Sequence, residues 1–342
     1  MRAFITGVGG LALTDRERAF LRDAQPWGLI VFRRNVASPE QLRGLIQEMR
    51  DVLGRAAPVL IDQEGGRVQR LGPPHWPPYP PGSVYGAAYR RDKEQGLAAA
   101  RLGARLIAAD LSALGIDVDC MPLADVPVAG ADPIVGDRAY GSEPGKVSAI
   151  ARAIAQGLSD GGVLSVLKHI PGHGRAAVDS HKKLPVVEAG RELLEKTDFA
   201  AFAPLADLPM AMTAHVVFSA IDPLAPATVS AIIVREVIRG SIGFDGLLMS
   251  DDISMEALSG SVAERSRAAI AAGCDMVLHC NGEFAEMSAV ATEVPQLQGK
   301  AARRAEVALT AKKAAAPFDV AAGRAEFFRL MAGSWQPAEP YA

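Results

Sequence analysis

Short apolar runs recur along the chain, each closing on a glycine or a charged residue. Eight of them predict strands, at 4–8, 28–32, 58–61, 116–121, 163–168, 209–215, 246–250 and 275–278. They are nearly continuous in apolar side chains, the pattern of strands covered on both faces. Between them the period lengthens. Over 41–53 the apolar residues Leu42, Leu45, Ile46 and Met49 fall at helical spacing. The segment 97–114 is rich in Ala, Leu and Arg and meets a stop at Gly115, and 263–272 ends at Gly273 just before the last strand.

Strands and helices that alternate in this way imply a parallel sheet. Eight such units in 342 residues predict a (β/α)8 barrel of the TIM type, one domain over 1–342 with a C-terminal helical segment and a polar, proline-containing tail. The alternative is an open doubly wound sheet, but no GxGxxG opens a helix after the first strand, so a dinucleotide site has no support. The segment from Gly72 to Gly82 holds six prolines and must be loop, because proline lacks the backbone donor. Its place inside the domain predicts a rigid rim loop rather than a ligand for a partner.

Composition narrows the class. Apolar residues make up 49% of the chain, enough for a large core, and the net charge of -3 gives no basic excess for nucleic acid or an anionic membrane. Cys120, Cys274 and Cys280 form no CxxC and read as reduced thiols. The apolar stretch 3–13 is broken by glycines and followed at once by Asp15-Arg16-Glu17-Arg18, so it reads as a first strand rather than a signal peptide. No run is long enough to span a bilayer. A cytoplasmic monomer is expected, without nucleic-acid or membrane partner.

Polar residues gather just past the predicted strand ends, where a barrel does its chemistry. Asp62-Gln63-Glu64-Gly65-Gly66-Arg67-Val68-Gln69-Arg70 follows the third strand, and Lys168-His169-Ile170-Pro171-Gly172-His173-Gly174 with Asp179-Ser180-His181 follows the fifth. Ser250-Asp251-Asp252 follows the seventh, and Gly136-Asp137-Arg138 precedes a helix. Any one of these, alone, reads best as a structural ion pair. Four at the same end of one barrel describe a polar cup. Asp251 and Asp252 are neighbours, and neighbours in a strand point to opposite sides, so one of them faces the cup. Alternation alone leaves open which.

These motifs, in this order over roughly residues 1 to 300, resemble glycoside hydrolase family 3, in particular its single-domain bacterial β-N-acetylhexosaminidases. The resemblance implies a retaining exo-β-N-acetylglucosaminidase without cofactor or metal. Asp251 would be the nucleophile, His181 the acid/base and Asp179 its partner, while Asp62, Arg70, Arg138, Lys168 and His169 would bind the sugar. It also implies the substrate, a cell-wall muropeptide fragment with terminal N-acetylglucosamine on anhydro-muramic acid, with or without peptide, and a role in peptidoglycan recycling. An imidazole suits the double role of acid and base, because it titrates near neutrality and a neighbouring carboxylate orients it. Arg67 reads as structural, His173 as shaping the Pro-Gly turn, and Asp252 as the cap of a helix beginning near Ser254.

Rival readings have concrete signatures. A zinc site on His169, His173, Asp179 and His181 lacks helical spacing, an HxH or an HExxH. A Schiff-base lyase would use Lys168 at the strand end. Release of the sugar to phosphate instead of water, a phosphorylase activity within the same family, is not separated from hydrolysis by any residue here.

Overall fold

The protein was analysed as a computed structural model, which describes residues 1–181 and 183–336. The expected polar tail lies, from 337 onward, outside the described residues. Eight parallel strands close into a barrel: β1 (Arg2–Thr6), β2 (Pro26–Val31), β3 (Val59–Ile61), β4 (Val118–Asp119), β5 (Leu164–Ile170), β6 (Met210–Thr213), β7 (Leu247–Asp252) and β8 (Met276–His279). Each strand pairs with its neighbours in sequence, and β1 pairs with β8 through Phe4 opposite Val277 and Ile5 opposite Leu278. All eight predicted strands are present in order. The doubly wound alternative is excluded by closure of the sheet.

The strands look uniformly apolar because both faces are buried, each in a different core. Ile5, Ile30, Leu60, Val118, Val166, Met210, Met212, Leu247, Met249, Met276 and Leu278 fill the barrel interior. Their neighbours Phe4, Leu29, Val31, Val59, Ile61, Leu167, Ala211, Leu248 and Val277 face the surrounding helices. Strand parity thus divides one apolar run between two cores.

The helices start and stop where local chemistry dictates. Ser38 caps Pro39–Leu53 by accepting from the N–H of Gln41, with Pro39 in the first turn and Gly54 closing the helix at positive φ. Ser261 and Glu264 form a capping box at the start of Val262–Ala272, and Gly273 ends that helix as expected. Among the described residues no helix is long and apolar enough to cross a membrane.

The proline-rich segment is a rim loop held by buried Trp76 and Tyr79, the latter donating its hydroxyl to Asp110 at 2.5 Å. It leads into the helix Gly82–Arg91, whose glycine face lies against the strand of chain that carries Arg138. A Cβ on Gly82 would stand 1.9 Å from the carbonyl oxygen of Arg138. Gly82→Ala is therefore expected to lower the thermal midpoint and raise KM together, because Arg138 must move. Gly44→Ala is the control: it lies on an exposed helical face with nothing within 4 Å. There the thermal midpoint should rise, by the equivalent of about 0.5–1 kcal/mol. Scanning calorimetry and steady-state kinetics on both variants check this.

Candidate active site

Strand parity selects which polar side chains enter the cup. Asp62 continues the inward parity of Leu60, Lys168 that of Leu164 and Val166, and Asp251 that of Leu247 and Met249. The pairing of β5 with β6 shifts register between Leu167 and Ile170, and both Lys168 and His169 line the cavity. The cavity, about 230 Å³, is lined by Asp62, Arg70, Arg138, Lys168, His169, His181 and Asp251 over an apolar floor that includes Ile30, Met212 and Leu278. That volume falls below the roughly 300–1,000 Å³ of drug-sized pockets and suits one sugar ring rather than a chain.

Four of these charges and Glu64 organise the wall. Gly65 and Gly66, both at positive φ, turn the chain between the short paired strands Gln63–Gly65 and Val68–Gln69. The Gln63 side chain accepts from the backbone N–H of Arg70 and Leu71 and donates to Leu71 O, which fixes the returning strand. Arg70 then reaches back to donate to Asp62 Oδ2 at 2.8 Å. Lys168 Nζ lies 2.9 Å from Asp62 Oδ1 and 2.7 Å from Glu64 Oε1, and Arg138 holds Glu64 through both carboxylate oxygens at 2.8 and 2.9 Å. The result is an alternating ladder, Arg70–Asp62–Lys168–Glu64–Arg138.

Burial alone would raise the carboxyl pKa values, but the cations outweigh it. Asp62 is held far below the usual carboxylate range by Lys168 and Arg70, and Glu64 falls to about 2 beside Arg138 and Lys168. Burial would lower the pKa of Lys168, yet Asp62 and Glu64 raise it above its ordinary value. A lysine so firmly protonated is not a nucleophilic amine, which argues against the Schiff-base reading.

The opposite wall is built on histidines. Asp125, past the end of β4, accepts from His169 Nδ1 at 2.7 Å and from the backbone N–H of His173 at 2.7 Å. A carboxylate only accepts, so the His169 tautomer is assigned with its proton on Nδ1. Burial opposes ionisation of Asp125, but His169 and His173 bring it down to about 2. His181 sits on the loop after β5, with Nδ1 2.9 Å from Asp179 Oδ1 and Nε2 left for the cavity. Asp179 itself lines the adjoining outer cavity with Arg67, Asp132 and Asp137, behind His181.

Asp251 sits at the end of β7. Its Oδ1 accepts from the N–H of Asp252 at 2.8 Å, and its own N–H lies 3.3 Å from Thr213 Oγ1. Burial pushes its carboxyl up, while His215, His169, that N–H and His181 together bring it below the ordinary value, so it is ionised at neutral pH. A hydrogen-bonded chain runs beneath it: Thr213 to Thr228 at 2.8 Å, Thr228 to His215 Nδ1 at 2.7 Å, and His215 Nε2 to the carbonyl of Asp252 at 2.9 Å. The chain begins at the amide of Asp251 and ends at the carbonyl of its neighbour, so it braces both sides of the carboxylate.

Seven of the eight expected site residues meet in one cavity, and the eighth, Asp179, hydrogen-bonds the seventh. Asp252 and His173 differ from expectation, while Arg67 keeps the structural role expected of it. Asp252 does not cap a helix near Ser254, because the chain turns there and the next helix is Val262–Ala272. Its carboxylate instead accepts from Ser254 N–H and Oγ and from Cys280 N–H, pinning that turn to the end of β8. Arg67 touches the cavity wall but spends its donors on Asp137 and the carbonyls of Pro133 and Ile134, which ties down the segment leading to Arg138. His173 does more than shape a turn, since its Nε2 lies 2.9 Å from Ser180 Oγ.

Sequence reasoning passed over Glu64, Asp125 and His215. Glu64 shares the parity of Asp62 two residues on, and His215 closes the predicted sixth strand, so both carried a signal. Asp125 sits in an otherwise apolar stretch, 121–126, where only its charge marks it.

Comparison with known proteins identifies the family of the barrel. Residues 5–310 match the glycosyl hydrolase family 3 N-terminal domain. A beta-hexosaminidase of Alkalilimnicola ehrlichii is 42% identical over 279 residues, covering 80% of this chain and 79% of its own. One of Chromobacterium violaceum is 40% identical over 303 residues, covering 87% and 84%. The crystal structure of NagZ from Neisseria gonorrhoeae in complex with N-trifluoroacetyl-D-glucosamine is similar with a TM-score of 0.82 at 31% identity, covering 97% of this chain and 96% of that one. The chain is thus a glycoside hydrolase built on a (β/α)8 barrel. It belongs to glycosyl hydrolase family 3.

Behind the ladder, Asp119 is fully buried, with Oδ1 accepting from Gln63 N–H at 3.0 Å and Oδ2 without a hydrogen-bond partner. Burial raises its pKa from 3.8 to about 8. A raised folded-state pKa means that the native state holds a proton the unfolded chain releases, so this group lowers stability as pH rises from about 4 to about 8. Asp119→Asn mimics the protonated form. The variant should show a flatter fall of thermal midpoint between pH 4 and pH 8, and exceed the wild type at pH 8, in melts recorded across that range.

Proposed function

We propose that this chain, a β-N-acetylhexosaminidase, removes single N-acetylglucosamine units from the non-reducing ends of β-linked substrates with retention of configuration. The observation that carries this reading is the meeting of Asp251, ionised and braced, with the Asp179–His181 pair at one single-sugar cavity. In the first step an Asp251 oxygen bonds to the anomeric carbon as the bond to the leaving oxygen breaks, and protonated His181 gives that oxygen its proton. In the second, His181 takes a proton from water, the water oxygen bonds to the anomeric carbon, and the Asp251 carboxylate is released. Asp179 accepts from the Nδ1 side of the ring and orients it. Asp62, Arg70, Arg138, Lys168 and His169 hold the sugar hydroxyls, carboxylate accepting and cations donating.

The acylamido preference draws support from the neisserial neighbour, which is solved with N-trifluoroacetyl-D-glucosamine. The substrate in this reading is a cell-wall fragment, N-acetylglucosamine on anhydro-muramic acid with or without peptide. The enzyme then serves peptidoglycan recycling in the cytoplasm.

Mass spectrometry of the protein trapped with a fluorinated N-acetylglucosamine analogue tests the nucleophile: the adduct is expected on the peptide containing Asp251, and an adduct elsewhere overturns the assignment. Asp251→Ala should lower kcat by about 10³-fold or more while the fold is kept. A proton NMR time course should show the β-anomer of the free sugar first; in phosphate buffer, appearance of the sugar 1-phosphate would mark phosphorolysis instead. Fragments carrying anhydro-muramic acid should be turned over at least as well as chitobiose.

A further inference from the structure

The Asp179–His181 pair poses a positioning problem. Both residues lie on the same loop, so the bond between them fixes the imidazole relative to the loop and not relative to Asp251. His181 is well exposed, its side chain at 60%. An acid/base group works only within hydrogen-bond reach of the oxygen it serves, and a misplacement of an ångström is costly. Something outside the pair must hold the loop.

The residue between them does so. Along Asp179-Ser180-His181 the outer two side chains reach the cavities, while Ser180 turns inward and is 2% exposed. Its Oγ lies 2.9 Å from His173 Nε2, and its carbonyl accepts from the N–H of Ala257 at 3.2 Å, beyond β7. His173 is buried in turn, and its backbone N–H donates to Asp125 Oδ1 at 2.7 Å. Asp125 follows a barrel strand, so the tether ends on the rigid part of the fold. Other backbone bonds hold the loop as well, such as Asp132 N–H to Ala176 O at 2.8 Å and Lys183 N–H to Asp179 O at 3.0 Å.

The imidazole of His173 is suited to this task. Burial, with His169 close by, brings its pKa down to about 4, so the ring is neutral at working pH. Its Nδ1 is buried and has no hydrogen-bond partner among the described residues. A proton there would be a buried unpaired donor, so the tautomer with Nε2–H is favoured, and that N–H donates to Ser180 Oγ. We propose that Asp125, His173 and Ser180 form a latch that sets the position of the acid/base loop against the nucleophile, with His173 and Ser180 as positioning residues. This inference rests on the reading of His181 as acid/base.

The test compares kcat/KM for chitobiose, whose leaving group needs a proton, with that for a nitrophenyl N-acetyl-β-glucosaminide, which needs little. Wild type, Ser180→Ala, Ser180→Thr and His181→Ala are measured side by side. His181→Ala should lose heavily on chitobiose, within the roughly 10²–10⁴-fold that general acid transfer supplies, and far less on the nitrophenyl substrate. Ser180→Ala should repeat that split in weaker form, about tenfold or more on chitobiose and under about threefold on the nitrophenyl glycoside. Ser180→Thr, which keeps the hydroxyl, should stay close to wild type on both. If His181→Ala shows the split but Ser180→Ala loses equally on both substrates, or loses on neither, the latch is overturned and the acid role stands. If His181→Ala shows no split, the acid role itself falls and the latch with it.

Discussion

The active face depends on one buried ionic ladder, Arg70–Asp62–Lys168–Glu64–Arg138. Two carboxylates between three cations leave one positive charge in excess, placed in a cavity otherwise floored by hydrocarbon. Each ion is costly to bury alone, and the arrangement holds because every inner rung has a partner on both sides. The ladder also joins elements distant in sequence. It ties the end of β3 to the end of β5 and to the segment before the helix Pro144–Asp160. In the proposed function, sugar hydroxyls meet donors and acceptors that are already oriented, so little ordering is left to be done on binding.

The two walls of the cup use different physics. The ladder wall is ionic and insensitive to pH near neutrality, since its carboxyls titrate far below and its lysine above. The other wall is built on imidazoles whose tautomers are set by acceptors behind them, Asp125 behind His169 and Asp179 behind His181, with His215 beneath Asp251 held by the carbonyl of Asp252. A wall of fixed charge suits holding a neutral sugar, and a wall of imidazoles suits moving a proton. Asp251 lies where the two meet, ionised and facing the barrel axis.

Much of the fold was legible because barrel strands are buried on both faces and so read as unbroken apolar runs. The same property hid the ends: the fourth strand is only Val118–Asp119, although the apolar run continues to Met121. The site residues were legible because charge placed past an apolar strand is conspicuous. What could not be read was which of two adjacent polar residues turns inward. Asp251 and Asp252 are chemically identical in sequence; only the inward packing of Leu247 and Met249 separates them. Asp125 escaped notice for the opposite reason. It serves the site from behind His169, and a group that acts through another residue leaves little trace in a local motif.

Asp125 deserves a thermodynamic reading as well as a structural one. Its two oxygens divide their duties, Oδ2 to the ring of His169 in the cavity wall and Oδ1 to the amide of the histidine that reaches Ser180. In the proposed mechanism, holding the sugar and presenting the proton donor thus share one carboxylate. Sites joined in this way are linked reciprocally: whatever free energy an occupied sugar site contributes toward the working position of the loop, a loop already in that position returns as tighter sugar binding. Substrate affinity and readiness for proton transfer then become two readings of a single equilibrium, centred on a side chain that touches neither the sugar nor the leaving group.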